Sequence, residues 1–339
     1  MPTIHAVDPH DDAAMRAWYD ALHAGSTADR AAPLLSGYDS FTFTMRHPGQ
    51  VRRRLPVAAR VNDGEPDDGR PHQGQVVGAM LVELPLLHDT GTVQVEIAVP
   101  PPHRGRGVGA ALWSHAVELA RREGRTVAQT EVSVPRDRSP GEWPGARFAA
   151  ARGFTTGHVE DHQVLDLPVP DERPAGNPAG STRTVQWAGP CPEEHVRTYA
   201  ALQTAMNADV PTGAMTRTAV EVSPERVRTS DARLAESYLT LVTLVLDDHA
   251  GPVGYTLLLV PHAEPGDAVQ DDTLVLRAHR GRGLGATLKA ANLRLLAAHS
   301  PGTRRVHTWV AQSNAPMQAV NAAFGFRDVE TLHEMECTL

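Results

Sequence analysis

The sequence predicts a mixed α/β fold built twice, as two similar domains in one chain of 339 residues. Three observations carry this reading. A heptad occurs twice, His103-Arg104-Gly105-Arg106-Gly107-Val108-Gly109 and His279-Arg280-Gly281-Arg282-Gly283-Leu284-Gly285, and the copies differ only where Leu284 replaces Val108. Each copy stands between a short β-branched or aliphatic run and a helical pattern. Between the copies, residues 168–182 are rich in Pro and Gly and lack periodicity, as a linker between domains at 1–167 and 183–339 would. The repeat spacing, 280 − 104 = 176 residues, is that of a duplicated domain and not of a solenoid.

Within the first half, residues 3–7 read as a strand. Residues 8–25 read as a helix capped by Asp8 or Asp11, with Met15, Trp18 and Leu22 on one face. Residues 26–50, broken by Pro33, Gly37 and Pro48, are irregular and are expected as a helix-loop over the substrate side. Strands are expected at 51–61 and 75–86 around a polar turn cluster at 62–69, and at 93–99 leading into the first glycine turn. A helix at 110–122, a strand at 126–134, a loop at 135–145 and a short helix at 146–152, stopped by Gly153, come next. A strand at 158–167 closes this half.

The second half repeats the order. A strand at 184–187, a helix at 192–207, an irregular loop at 207–215 and a helix at 224–235 come first. Strands at 237–247, 253–261 and 273–276 lead to the second glycine turn and its helix at 286–299. A strand at 305–310, a helix at 314–324 ahead of Gly325 and a final strand at 327–338 complete the chain. Strands flanking a central strand-turn-helix unit argue for a mixed sheet with helices on both faces.

Length allows a sizeable core in each half. No run of ~18 apolar residues is present, so no membrane span is expected. The first residues lack the basic-then-apolar plan of a signal peptide, and a soluble cytoplasmic protein is expected. Two cysteines, Cys191 and Cys337, make neither a disulfide framework nor a zinc site. The 17 histidines, His88, His158, His162, His262 and His299 among them, show no metal-ligand spacing and read mostly as surface residues. No metal is expected. A formal charge of −8 argues against a nucleic-acid partner and favours cationic substrates. Lys289 is the only lysine.

A strand, a glycine turn and a helix N-terminus together make a cradle for pyrophosphate. Glycines let the backbone come close to phosphate, and the first-turn N–H groups and helix dipole receive the negative charge. Arg104, Arg106, Arg280 and Arg282 can add charge-assisted bonds to phosphate oxygens. The spacing Arg-x-x-Gly-x-Gly differs from both the dinucleotide fingerprint and the P-loop.

At these residues the chain resembles the GNAT acyltransferase superfamily, where (Arg/Gln)-x-x-Gly-x-(Gly/Ala) after the fourth strand binds the pyrophosphate of acetyl-CoA. The resemblance covers both halves and is strongest from strand four onward. Tandem halves of this kind resemble the two-domain group that includes mycothiol synthase. The second half, with Ser-Asn-Ala-Pro-Met at 313–317 and Val-Asn at 320–321 before Gly325-Phe326, is the closer fit. The resemblance implies two domains, each a mostly antiparallel mixed sheet flanked by helices, with strands four and five splayed. It implies acetyl-CoA as donor, held at Val275, Leu276, Arg280, Gly281, Arg282, Gly283, Leu284, Gly285 and Asn314. The equivalent positions of the first half are Val99, Arg104, Gly105, Arg106, Gly107, Val108 and Gly109.

In this family a strand-four N–H polarises the thioester carbonyl, and a carboxylate on the same strand often takes the amine proton. Counting back from the turn arginine places the acyl-adjacent residue at Val99 and Val275. By strand alternation the residues sharing its face are Val93, Val95 and Ile97 in the first half, and Val269, Asp271 and Thr273 in the second. Asp271 is therefore the expected base, with Thr273 beside it. Glu96 is out of phase unless a bulge re-aims it. The family's thiolate-protonating Tyr corresponds to Asn321, and Asn cannot be an acid, so CoA leaves as thiolate or Tyr255 serves. The first half has Glu142 and Ala149 where the second has Asn314 and Asn321. Asp209, in the loop where acceptor pockets form, is the expected amine-binding carboxylate. Trp309 and Phe324 are expected in the core.

The expected function is acetyl transfer from acetyl-CoA to a small-molecule amine in a ternary complex, with the chemistry in residues 183–339. A single chain in which the halves form an intramolecular pseudo-dimer is the expected assembly. A protein or peptide N-acetyltransferase and a non-catalytic acyl-CoA sensor remain as alternatives.

Overall fold

The structure, a computed structural model, describes residues 2–61, 74–169, 182–249 and 251–339. The polar cluster at 62–69 and all of the linker except residues 168, 169 and 182 lie outside the described residues. The chain divides into two compact units. Unit 1 holds Met1–His158, Gly213–Thr218 and His333–Leu339, and unit 2 holds Val159–Thr212 and Ala219–Leu332.

Unit 1 begins with β1 (Thr3–Ala6), α1 (Asp12–Thr27) and α2 (Tyr38–Arg46). Asp11 caps α1 by accepting from the Ala14 N–H, and α2 is the helix of the expected helix-loop. Next come β2 (Arg52–Val61), β3 (Gln75–Pro85), β4 (Thr92–Ala98), α3 (Val108–Arg122), β5 (Val127–Pro135) and α4 (Pro144–Ala150). Strands β1 to β4 are antiparallel neighbours in sequence order, and β5 joins β4 in parallel. Met15, Trp18 and Leu22 of α1 pack on one sheet face, while Leu112 and Ala116 of α3 pack on the other.

The next strand, β6 (Thr155–Asp166), was expected to close the first half. From Glu160 to Asp166 it pairs instead with β11 (Arg305–Ala311) of unit 2, antiparallel. Unit 2 further contains β7 (Thr182–Ala188), α5 (Val196–Asp209), α6 (Pro224–Ala235), β8 (Tyr238–Asp247), β9 (Gly251–Pro261) and β10 (Asp267–Val275). Its remaining helices are α7 (Leu284–His299) and α8 (Ala315–Phe324). The last strand, β12 (Arg327–Thr338), begins in unit 2 and ends in unit 1, where the Leu339 N–H donates to the Thr126 carbonyl at 2.9 Å. Alternating hydrophobicity marks both β6 and β12 as strands but does not choose their neighbours.

In unit 2, Tyr199 of α5 packs on the face carrying Tyr255, Leu257 and Leu274. Leu284 and Leu288 of α7 cover the face carrying Val253 and Val275. Lys289, 2 % exposed, also lies on α7, with Nζ 5.3 Å from the centre of the Phe326 ring. Burial pushes its ammonium down to about 7. Three histidines expected at the surface, His158, His162 and His307, are inside. His162 meets His307 at 2.9 Å and Glu330 at 3.3 Å, and His307 meets Asp267 at 3.2 Å. Phe324 packs in the interior as expected, whereas Trp309, stacked on His162, is only half-buried.

Two short parallel pairings place the site. Strands β4 and β5 pair only from Thr92 to Gln94, and β10 and β11 only from Asp267 to Val269. Beyond these zips the strands separate, and each splay opens toward a glycine turn. No described helix is long and apolar enough to cross a membrane.

Candidate active site

Each glycine turn ends in a left-handed residue that starts a helix. Gly105 and Gly107 have φ of +73° and +81°, and Gly281 and Gly283 of +77° and +74°. A Cβ at any of the four would meet nothing within 4 Å, so these glycines serve their backbone angles and leave open space before the loop. Bonding within α7 begins where the Thr287 N–H donates to the Gly283 carbonyl, and within α3 where Ala111 donates to Gly107. The amides of Leu284, Gly285 and Ala286, and of Val108, Gly109 and Ala110, are thus those that a helix leaves for an anion. The Val108 and Leu284 side chains are buried, and only their amides could serve. A Cβ on Gly109 would strike the Phe148 ring at 2.8 Å, whereas one on Gly285 would only reach Val320 at 3.9 Å.

The turn arginines hold the loop itself. Arg280 donates from Nε to the Val275 carbonyl at 3.0 Å and reaches Asp209 through Nη2. Arg277 donates to the other Asp209 oxygen at 2.8 Å. Arg282 reaches Asp247 at 2.9 Å and His279 at 3.1 Å. In unit 1, Arg104 repeats the first bond, donating to the Val99 carbonyl at 3.0 Å, and meets Asp29 at 3.4 Å. Asp209 is the last residue of α5 and not part of a loop. Partial burial works to raise its carboxyl, but bonds from Arg277 and Arg280 outweigh this and hold it low. An amine-binding role does not suit a carboxylate already held by two guanidiniums.

Strand β10 departs from simple alternation. Gln270 pairs with Leu258 and Thr273 with Thr256, so Asp271 and Asp272 together stand opposite Leu257. This is a β-bulge. In β4 the matching segment is regular, and Glu96 alone stands opposite Leu81. The spacing 272 − 96 = 176 equals that of the turn arginines, so Asp271 is the inserted residue. The Tyr255 hydroxyl donates to Asp272 at 2.5 Å. The Thr273 hydroxyl pairs with Thr256 at 2.8 Å. Tyr255 and Thr256 are successive strand residues, so they and their partners Asp272 and Thr273 lie on opposite faces. Thr273 and Val275 therefore share one face and Asp272 and Leu274 the other, with Asp271 as the added residue of the bulge.

The electrostatics follow from crowding. Asp271 is exposed at the bulge and adjoins Asp272. Desolvation first, and the adjacent Asp272 charge second, raise its carboxyl to about 7. Desolvation also raises Asp272, against the lowering effect of the Tyr255 hydroxyl. Tyr255, fully buried, is pushed up by burial and then by Asp272. Its hydroxyl is committed to Asp272, which does not suit a free acid. Tyr199 of α5 stands edge-on to Tyr255, ring centres 5.3 Å apart, and is raised by burial and then by Asp272. Asp272 and Tyr199 escaped the sequence reading. The repeat spacing that links Asp272 to Glu96 was the available signal.

The other expected groups stand apart from this cluster. Asn314 caps α8, accepting from the Met317 N–H at 3.3 Å. Asn321 is buried and donates to Gln163 of β6 at 2.7 Å. In unit 1, Val93, Val95 and Ile97 line the α3 face. Glu96 accepts from Ser26 of α1 at 3.0 Å, and burial raises its carboxyl. A Cβ on Gly25 of α1 would lie 2.7 Å from the Val99 nitrogen, so that helix sits hard against the strand end.

The comparisons agree with this geometry. Residues 57–154 and 209–326, more than half of the chain, match the acetyltransferase (GNAT) family. A mycothiol acetyltransferase of Clavibacter michiganensis subsp. michiganensis is 31 % identical over 272 residues, covering 77 % of this chain and 74 % of that protein. One from Sanguibacter keddieii is 30 % identical over 212 residues, covering 60 % of this chain and 61 % of its own length. Among solved structures, a tandem GNAT protein from the clavulanic acid biosynthesis pathway is 29 % identical, with a TM-score of 0.79 over 100 % of this chain and 98 % of that one. A GCN5-related N-acetyltransferase from Sphaerobacter thermophilus, 17 % identical, shares the fold at a TM-score of 0.69 over 99 % of this chain and 95 % of that one.

Proposed function

The chain belongs to the GNAT acetyltransferase family and is an acyltransferase with two such domains, and on that premise we propose that unit 2 transfers an acetyl group from acetyl-CoA to the amine of a small molecule. The observation that carries the assignment is the bulge of β10, which gives unit 2 two carboxylates where unit 1 has one.

The open loop with its free first-turn amides fits the pyrophosphate of acetyl-CoA, a donor that supplies an activated acetyl thioester. The Leu276 N–H donates to Val253 of β9 at 2.9 Å. By antiparallel alternation the Val275 N–H then turns the other way, into the splay, where it can polarise the thioester carbonyl. An acceptor amine arrives as a cation, which the Asp271–Asp272 pair attracts. Asp271, with a carboxyl near 7, is matched to take the amine proton at neutral pH. Tyr255 keeps Asp272 oriented, and CoA leaves as thiolate. Transfer is direct, within one ternary complex. Two relatives named for a small-molecule acceptor make small amines the first class to test.

Release of CoA is measured with small amines and with peptides, for the wild type and Asp271→Asn. Turnover with small amines that falls on substitution is expected. Turnover with peptides alone, or tight CoA binding without turnover on any acceptor, overturns the reading.

A further inference from the structure

We propose that Asp209 is a positioning residue that acts through Arg280 to fix the Val275 peptide at the mouth of the splay. The inference rests on the acyl-transfer reading above, because Val275 carries the N–H assigned to the thioester.

One guanidinium joins three elements. Arg280 holds the Val275 carbonyl with Nε at 3.0 Å, and its Nη2 is held by the carboxylate at the end of α5. Arg277 fixes the other oxygen of that carboxylate at 2.8 Å, so Asp209 is clamped from two sides. Val275 lies beyond the last β10–β11 pair at Val269, where no neighbouring strand orders its outward N–H and carbonyl. Both groups point the same way from one residue, so holding the carbonyl orients the peptide planes that meet there. The planar fork of arginine suits this task and an ammonium does not.

The same construction occurs in unit 1, which argues that it belongs to the turn and is no accident of one surface. Arg104 holds the Val99 carbonyl at 3.0 Å, the Gly25 carbonyl of α1 at 3.3 Å and Asp29 at 3.4 Å. The carboxylate there is looser: Asp29 has a side chain 67 % exposed, against 22 % for Asp209. The tighter form accompanies the unit with the paired carboxylates.

Asp209→Asn keeps the shape and removes the charge, and Arg280→Lys keeps the charge and removes the fork. For each, kcat, the acceptor KM and the Kd of free CoA, which has no thioester carbonyl, are measured on the full chain. A loss of about tenfold in kcat is expected for both, with the acceptor KM within about twofold, and for Asp209→Asn, which lies outside the phosphate cradle, the CoA Kd within about twofold as well. The double variant should be no worse than the poorer single one. A rise in acceptor KM at unchanged kcat would make Asp209 an amine ligand and overturn the proposal. A changed CoA Kd at unchanged kcat would make it part of the phosphate cradle and overturn the proposal equally. If the wild type turns over no amine, the transfer reading has failed on its own. Hydrogen exchange at the Val275 amide then decides: faster exchange in Asp209→Asn sustains the fixing role, and unchanged exchange overturns it.

Discussion

Tyr255 donates its hydroxyl to Asp272 across 2.5 Å, and this bond decides how two neighbouring carboxylates share protons. The bond favours the charged form of Asp272, and that charge in turn raises Asp271. The pair titrates as a unit.

The acid limb of kcat/KM in the wild type should therefore lie near pH 7, where Asp271 loses its proton. Asp272→Asn removes the like charge and should move that limb to lower pH. A limb that stays in place in this variant would show that another group is the base.

Tyr255→Phe should move the limb in the same direction by a different route. Without the hydroxyl, Asp272 keeps a proton more readily, and Asp271 then ionises beside a neutral neighbour. The displacement should be smaller than in Asp272→Asn. The full pH–rate profile of both variants tests the order.

Stability supplies a check that needs no substrate. The folded Asp271 holds its proton up to about 7, whereas the unfolded carboxyl releases it near 3.8. Between those values the folded state binds more protons, so rising pH costs the wild type stability. Asp271→Asn should raise Tm at pH 8 and give little or no gain at pH 4. An equal Tm difference at both pH values would contradict the raised carboxyl.

The two glycine turns should respond differently to the same change. Gly283→Val and Gly107→Val each force a β-branched side chain to positive φ, a strain of about 1–3 kcal/mol. Gly283→Val should abolish CoA binding in unit 2 and with it turnover. Gly107→Val should lower CoA stoichiometry or stability and spare most turnover. Calorimetric titration and steady-state rates decide, and the reverse pattern would move the chemistry to unit 1 and Glu96.

Much of this architecture was legible because local signals were strong. Positive φ at Gly281 and Gly283 is what an Arg-x-x-Gly-x-Gly turn before a helix requires, and the helix expected at 314–324 is α8, capped by Asn314. What escaped was decided across strands. Two consecutive aspartates look like a turn, and only the opposition of both to Leu257 makes them a bulge. Asp209 looked free because its arginines are distant in sequence, and strand β6 gave no sign that β11 was its neighbour. Pairing choices of this kind depend on tertiary context, which periodicity does not encode.

The solitary lysine has a chemical consequence of its own. Thioesters acylate exposed amines without any enzyme, and an acyltransferase working beside its own donor is exposed to that damage. Here the sole lysine ε-amine lies under the helix surface, facing the Phe326 ring. The protein surface therefore offers no lysine ε-amine for adventitious self-modification.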